Sequence, residues 1–255
     1  MYIPPTSSNV VHLFCKHPVL LVVTIIAAIT FSGAVGCVTC NPYAQCNKSL
    51  VTFTFDDGYL STYDTAYPIL DKYDYKATVF VPTDFIGTDG YMTEEQISIL
   101  HSYGWEIGSH AQSHARLTEL SDTELTSELS NSKEILNAIT TSYVSGFASP
   151  ENAYNEKTVN SIRAFYRYHR TCDPGYNDIP PSDMYYLKSM AITSDTTVDE
   201  VKGWIDYAYA NQKWLILTFH RIDESGEYNW PSENLEAVAQ YLHDKEYSST
   251  PPPLN

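Results

Sequence analysis

Thr54-Phe55-Asp56-Asp57-Gly58 closes a β-branched and aromatic run, Ser49-Leu-Val-Thr-Phe53, that reads as a buried strand over 50–55. A helix-like segment follows over 61–72. Two adjacent carboxylates therefore sit where a strand stops and a loop begins. Side by side they repel, and one takes up a proton unless a cation lies close. A metal ion removes that conflict, because one Asp can ligate it while the other stays free as a base. A surface Asp-Asp-Gly turn is the plainer reading of the tripeptide alone. The rest of the chain has to decide between them.

From Leu50 onward, strands and helices alternate. The pattern predicts strands over 50–55, 76–82, 105–109, 143–148, 166–170 and 213–219, and helices over 61–72, 93–102, 121–141, 155–165, 198–211 and 232–244. Ser121-Asp-Thr-Glu124 has the form of a capping box and opens the longest helix. Such alternation builds an α/β fold, a parallel sheet covered by helices, either open or closed into a barrel. Roughly 200 residues is short for a full eight-stranded barrel, so the expected form is a distorted or incomplete (β/α) barrel of about seven or eight strands.

Parallel α/β folds carry their chemistry at the C-terminal ends of the strands. Five predicted strand ends here deliver polar groups: Asp56 and Asp57, then His110 and His114, then Ser149-Pro-Glu-Asn152, then Thr171-Cys-Asp-Pro-Gly175, then His220 and Arg221. His110-x-x-x-His114 lets two imidazoles face one metal if the segment turns helically. Joined to a strand-end Asp, it makes a two-His-one-carboxylate set with positions open for water and substrate. His220 ends the apolar run Trp214-Leu-Ile-Leu-Thr-Phe219 and is the candidate for acid–base work. Each of these features has a plainer structural reading, a surface histidine pair or a satisfied core histidine. Their joint occurrence at one rim favours a hydrolytic metal site.

The composition is compatible with this. A chain of 255 residues, 43% hydrophobic and 18% charged, suits one sizeable domain with a full core. The formal charge of −16 argues against nucleic acid and anionic polymers as partners and is compatible with a neutral substrate. The 21 tyrosines suit carbohydrate grooves, although most of them are expected in ordinary packing.

The N-terminus reads as separate from the domain. Residues 1–18 form a polar tail, and 19–38 an uncharged apolar run of about 20 residues, enough to cross a bilayer as a helix. It reads as a signal-anchor or as a cleaved signal peptide with Ala34 and Gly36 before the cut, and the long leader favours the anchor. Lys16 and His17 put the N-terminal side in the cytoplasm, so the domain is expected outside the cytosol, membrane-anchored as a single-pass protein or secreted. Cys37 ends the apolar run, Cys40 and Cys46 fall in the linker over 39–49, and the three read as a disulfide or a lipid-modified site; Cys15 and Cys172 stand apart. Asn47-Lys-Ser49 fits a glycosylation signal. Residues 248–255, with three consecutive prolines, read as a disordered tail.

With these motifs in order, the chain resembles the polysaccharide deacetylases of carbohydrate esterase family four, the NodB homology domain, over 50–247. Thr54-Phe-Asp-Asp-Gly58 is similar to the family's first motif and His110-x-x-x-His114 to its second. Phe147-Ala-Ser-Pro-Glu-Asn-Ala-Tyr-Asn155 is similar to the third, and Leu215-Ile-Leu-Thr-Phe-His220 to the last. The resemblance implies Asp56 as catalytic base, Asp57, His110 and His114 as ligands of a divalent metal, and His220 as general acid. Zinc is the metal expected first, with cobalt, manganese or nickel as alternatives. Pro150, Tyr154, Asp173 and Leu217 are carried over as substrate-binding positions.

The third motif departs from the pattern. Ala148 stands where many members have an Arg that orients the base, and Glu151 stands where they have Tyr, so the Glu151 N–H would serve the oxyanion hole. The chain resembles a branch lacking that Arg, in which an Arg-Thr-x-Asp-Pro-Gly stretch follows the next strand. Arg170 is then the candidate for the orienting cation. The implied activity is removal of N-acetyl groups from a polymer containing N-acetylglucosamine, such as chitin, peptidoglycan or a related glycan, with release of acetate. Two alternatives remain at this stage: a hydrolase of the same fold acting on another amide or a cyclic imide, and an inactive glycan-binding module. The intact set of Asp56, Asp57, His110, His114 and His220 argues against both.

Overall fold

Strand β1 (Leu50–Phe55) forms where the hydrophobic run predicts it. In the computed structural model, which describes residues 49–223 and 226–249, it lies inside a seven-stranded parallel sheet. Its neighbours are β2 (Thr78–Val81) and β7 (Trp214–Phe219). The pairing with β7 runs the whole strand, from Leu50 opposite Trp214 to Phe55 opposite Phe219. Beyond β2 come β3 (Glu106–Ser109), β4 (Gly146–Ala148) and β5 (Tyr168–Arg170), and beyond β7 comes β6 (Met190–Ala191). A two-residue strand such as β6 is too short to leave a periodic signal, and the sequence pattern missed it. It also missed the small pair β8 (Arg221–Ile222) and β9 (Asn229–Trp230).

The sheet curls into an incomplete barrel, and the side-chain alternation of its strands explains how. Phe53, Phe55, Val79, Val81, Ile107, Phe147, Leu215, Leu217 and Phe219 all join the main apolar core. They pack beneath helices α1 (Tyr67–Asp71), α2 (Glu94–Ser102), α3 (Asp122–Thr140), α4 (Glu156–Phe165), α5 (Val198–Asn211) and α6 (Ser232–Ser249). Phe55 stacks on Phe219 at 5.3 Å and on Trp105 at 5.7 Å within this layer. The intervening residues face the concave side. Thr54 Oγ1 lies 3.1 Å from Thr218 Oγ1, and Thr218 Oγ1 donates to Ser189 Oγ at 2.9 Å, all buried. Gly108 and Gly146 leave room there for rings: a Cβ on Gly108 would fall 2.4 Å from Phe80, and one on Gly146 2.2 Å from Tyr168.

One segment, 187–191, touches both edges of the sheet. Leu187 bridges to Arg170 and accepts from the Thr171 N–H at 2.8 Å, beside β5, while Met190 and Ala191 pair with β7. The segment thus carries the edge strand β6 and also bonds to the chain at the other edge, β5, as a curled sheet requires.

The helices start where their caps dictate. α2, α3, α4 and α5 each open on a capping box, Thr93 with Gln96, Ser121 with Glu124, Asn155 with Thr158 and Thr197 with Glu200. Such a cap contributes about 1 kcal/mol by satisfying otherwise unpaired N–H groups. The helix predicted over 61–72 is instead a π-helical turn, Thr62–Ala66, followed by the short α1. Pro68 has no N–H to continue an α-helical ladder, and the Tyr67 N–H bonds Thr62 O, five residues back. α6 runs on to Ser249, two residues into the stretch read as a tail.

Among the described residues, no helix is long and apolar enough to cross a membrane. The polar tail 1–18, the apolar run 19–38, the linker up to residue 48 with Cys37, Cys40, Cys46 and Asn47, Cys15, and the final residues 250–255 lie outside the described residues.

Candidate active site

The C-terminal end of β1 places two carboxylates in different environments. The Asp56 N–H bonds Phe219 O at 2.9 Å, so its backbone still belongs to the β1–β7 ladder. Asp57 leaves the ladder with φ of 69°, in the left-handed region. That turn brings its Oδ1 to 3.5 Å from His110 Nε2 and 3.2 Å from His114 Nε2. The two imidazoles meet without the helical turn that would bring an i, i+4 pair together. The His110-to-His114 segment is a loop with left-handed backbone at Ala111 (φ 65°) and His114 (φ 63°). Each such residue costs about 1–2 kcal/mol, so the loop is held by its surroundings rather than by its own preference.

Asp57, His110 and His114 fit a metal ion. Their ligand atoms all lie within 4.8 Å of one another. His110 Nδ1 is 2.8 Å from Ala148 O, a pure acceptor, so Nδ1 carries the proton and the Nε2 lone pair faces Asp57. Asp57 Oδ1 is buried and, although His114 is near enough, no hydrogen bond of good geometry reaches it. Lone pairs facing one another in a buried site call for a cation between them. Burial pushes the His110 imidazole down to about 4, against the pull of Asp56 and Asp57. It is therefore neutral and ready to ligate near pH 7. Burial acts to raise the Asp57 carboxyl, but the His114, His110 and His220 imidazoles outweigh it and hold that carboxyl below the usual range.

Asp56 points into the concave side and is buried, as is Arg170. Arg170 Nη2 donates to Asp56 Oδ1, across 114 residues of sequence. The guanidinium is shared, not bidentate: Nη1 donates to Cys172 Sγ at 2.7 Å. Ala148 and Arg170 are register partners on β4 and β5. The small Ala148 side chain leaves its place on the concave face to the Arg170 side chain from the next strand.

The other expected residues fall in three places. Glu151 sits on the rim after β4 in a short helical turn, Pro150–Asn152, with left-handed backbone (φ 51°). Its side chain pairs with Arg116. Pro150 is buried beside it. Asp173 is engaged at both oxygens, by Asn152 Nδ2 at 2.8 Å and by the Tyr154 hydroxyl, so it clamps this turn. Asp173 makes no hydrogen bond to His220, whose Nδ1 is buried with no partner. Leu217 is a correction. Its side chain is 0% exposed and packed in the core under the helices, because it falls on the convex face of β7, and it cannot touch a substrate.

His220 and Asp57 line one cleft of about 230 Å³, together with Tyr59, Arg221, Glu227 and Tyr228. The Tyr228 ring packs on His220 at 4.8 Å and is 46% exposed. Arg221 lies 4.3 Å over the face of Tyr59, which stacks on Tyr91 at 5.0 Å. Burial and the nearby Asp57 push the Tyr59 hydroxyl far above its ordinary value, so it remains a hydrogen-bond donor. The sequence reading missed Tyr59, Tyr228 and Cys172 as neighbours of the site. Tyr59 could have been found from its place directly after Gly58; Tyr228 carries no local signal.

Known proteins are similar to this chain in sequence and in fold. The polysaccharide deacetylase family model matches residues 44–167. YxkH of Bacillus subtilis, whose name places it among the polysaccharide deacetylases, is 34% identical over 130 residues, 51% of this chain and 47% of that one. The poly-β-1,6-N-acetyl-D-glucosamine N-deacetylase of Staphylococcus aureus is 23% identical over 177 residues, 62% of this chain and 59% of that one. The chain thus spans about half the length of these curated relatives. Among solved structures, BC0361, a polysaccharide deacetylase from Bacillus cereus, superposes with a TM-score of 0.55 at 26% identity, over 60% of this chain and 50% of that one. The matched stretch holds β1 to α4, with Asp56, Asp57, His110 and His114 inside it, so the part of the chain that carries these residues is the part similar to the polysaccharide deacetylases.

Proposed function

We propose that this protein is a metal-dependent N-deacetylase of a polysaccharide that contains N-acetylglucosamine. One observation carries the reading: Asp57, His110 and His114 converge at one point, with the Arg170-bound carboxylate of Asp56 beside them. A divalent cation held by those three side chains, zinc first, supplies Lewis acidity toward a water and a carbonyl oxygen. Asp56 accepts the proton of the attacking water. Arg170 fixes the direction of the carboxylate that does so. In this reading the Glu151 N–H, on a left-handed turn at the rim, donates to the oxygen on which negative charge develops. His220, across the cleft, gives a proton to the leaving amine, and acetate departs.

The choice of polymer rests on chemistry and on relatives. The named activity of the Staphylococcus aureus relative is on poly-β-1,6-N-acetyl-D-glucosamine. A net charge of −16 suits a neutral polymer and, after reaction, a product bearing amines. The cleft's tyrosines suit a sugar face. Acetate release from poly-β-1,6-N-acetylglucosamine, chitin oligomers, peptidoglycan and acetyl-xylan is the deciding assay. Metal-dependent release from one of the first three supports the reading. Release only from acetyl-xylan replaces it with an O-deacetylase. Binding without release from any polymer replaces it with a glycan-binding module.

The apolar run 19–38 is the basis for proposing that the domain works outside the cytosol, anchored or secreted. Protease added to intact cells should cut it. Protection equal to that of a cytosolic marker would overturn the placement.

A further inference from the structure

The loop between the two histidines is held from outside by one side chain on α3. Glu128 Oε2 accepts the backbone N–H groups of both Gln112 and Ser113, each at 2.8 Å, and Oε1 accepts from Ser113 Oγ at 2.6 Å. Four further ties lack the double N–H capture: Asn131 Nδ2 donates to Gln112 Oε1 at 2.9 Å, Gln112 Nε2 to Asp84 Oδ1 at 3.2 Å, the Asp84 N–H to Gln112 O at 2.9 Å and the Thr83 N–H to Ala111 O at 3.3 Å. The three bonds to Glu128 fall on the two residues between Ala111 and His114, both of which adopt left-handed backbone.

The two histidines are unequally secured. His110 is continuous with β3, bonded through its N–H to Val81 O at 3.0 Å and through its ring to Ala148 O, and its side chain is 3% exposed. The His114 side chain is 25% exposed, and its ring stacks on Phe85 at 6.1 Å and lies beside His110 at 4.9 Å and Asp57. The direction of its imidazole is therefore set by the backbone of the loop. A carboxylate that accepts consecutive N–H groups is a charge-assisted clamp on that backbone.

We propose that Glu128 is a positioning residue for the metal: it holds the Ala111-to-Ser113 loop so that His114 Nε2 meets His110 Nε2 and Asp57 Oδ1 before any ion arrives. The inference rests on the metal reading above. Glu128 touches no ligand atom, so its effect is on the affinity of the site through preorganisation, in the range seen when an outer partner of a metal ligand is removed.

The test is zinc affinity of the full chain, measured by competition with a chromophoric chelator, together with thermal unfolding of the metal-free protein. Glu128→Ala should bind Zn²⁺ about 10- to 100-fold more weakly while the metal-free protein still melts cooperatively. Glu128→Gln keeps an oxygen for both N–H groups and removes the charge, so it should stay within about threefold of the wild type if position and not field is what matters. Glu128→Asp keeps the charge but shortens the reach, so it should fall between the two. It also serves as the readout if the alanine variant does not fold. Wild-type affinity in Glu128→Ala or Glu128→Asp overturns the inference and leaves the metal reading standing. A loss in Glu128→Gln as large as in Glu128→Ala overturns it in favour of simple charge attraction. Absence of zinc uptake by the wild type overturns the metal reading, and this inference falls with it.

Discussion

Arg170 and Glu106 are two buried charges of the concave face with opposite consequences. Arg170 neutralises Asp56, and the pair is fully enclosed. Removing one partner of such a pair leaves an uncompensated charge and costs about 3–5 kcal/mol. Arg170→Ala should therefore lower the melting temperature, and at a temperature where it stays folded it should lower kcat by roughly 10- to 1000-fold with zinc affinity near that of the wild type. Arg170→Lys should recover part of the rate, since one hydrogen bond to Asp56 suffices but the Cys172 contact is lost. Unchanged turnover in the alanine variant would remove Arg170 from the mechanism. Among the described residues, no cation pairs with Glu106. Its carboxyl is packed with Tyr168 and Thr78, and burial raises its pKa despite their hydrogen bonds. The folded value then lies above the unfolded one, so this group's contribution is present at low pH and is lost as pH rises past about 4.3. Glu106→Gln should gain stability relative to the wild type between pH 4 and pH 7 in urea unfolding. Parallel pH curves for the two proteins would refute it.

The position of that cation is a property of two strands. Ala148 on β4 and Arg170 on β5 are register partners on the concave face, so a guanidinium launched from either strand enters the same space. Ala148→Arg alone should overpack that space and cost about 1–3 kcal/mol, with two cations in conflict. Ala148→Arg combined with Arg170→Ala should recover at least tenfold of the kcat that Arg170→Ala loses, an order-of-magnitude expectation for a repositioned charge. A double variant no faster than Arg170→Ala would show that the β5 origin, with its bond to Cys172, is required. The loops at the strand ends follow a related rule. Asp57, Ala111, His114, Glu151 and Asn152 all adopt left-handed backbone without being glycine. Strain of this kind, clustered at the ends of β1, β3 and β4, persists only where partners such as Glu128 and Asp173 hold it.

For the whole molecule, the expectation is that residues 49–249 hold all that folding and metal binding require. The core residues belong to the sheet and its helices, and the site residues converge from β1, β3, β5, β7 and their loops. A chain starting at Asn47 should melt in one cooperative transition. Free zinc at 100 times its Kd should then stabilise it by about 2.7 kcal/mol, and a chelator should reverse the gain. Calorimetry with and without zinc checks both points. Aggregation of the shortened chain, or a melt indifferent to zinc, would move the boundary or remove the metal.

What the chain determined by itself is what short-range chemistry encodes. The bounds of β1 follow from an uninterrupted β-branched and aromatic run, and the starts of α2 to α5 from side chains that satisfy N–H groups three residues on. The carboxylate and imidazole types at the strand ends were legible for the same reason, since alternation places strand ends and strand ends place polar groups. The tertiary structure alone decided which of these meet. Arg170 reaches Asp56 because β4 ends in a small residue and β5 pairs beside it, a fact of register between segments far apart in the chain. Asp173 turned to Tyr154 and Asn152, partners from another loop, and Leu217 faced the helices because one residue's shift along a strand changes which side a side chain faces. The histidine loop took left-handed turns in place of a helix because Glu128, on another element, supplies acceptors that the local sequence does not.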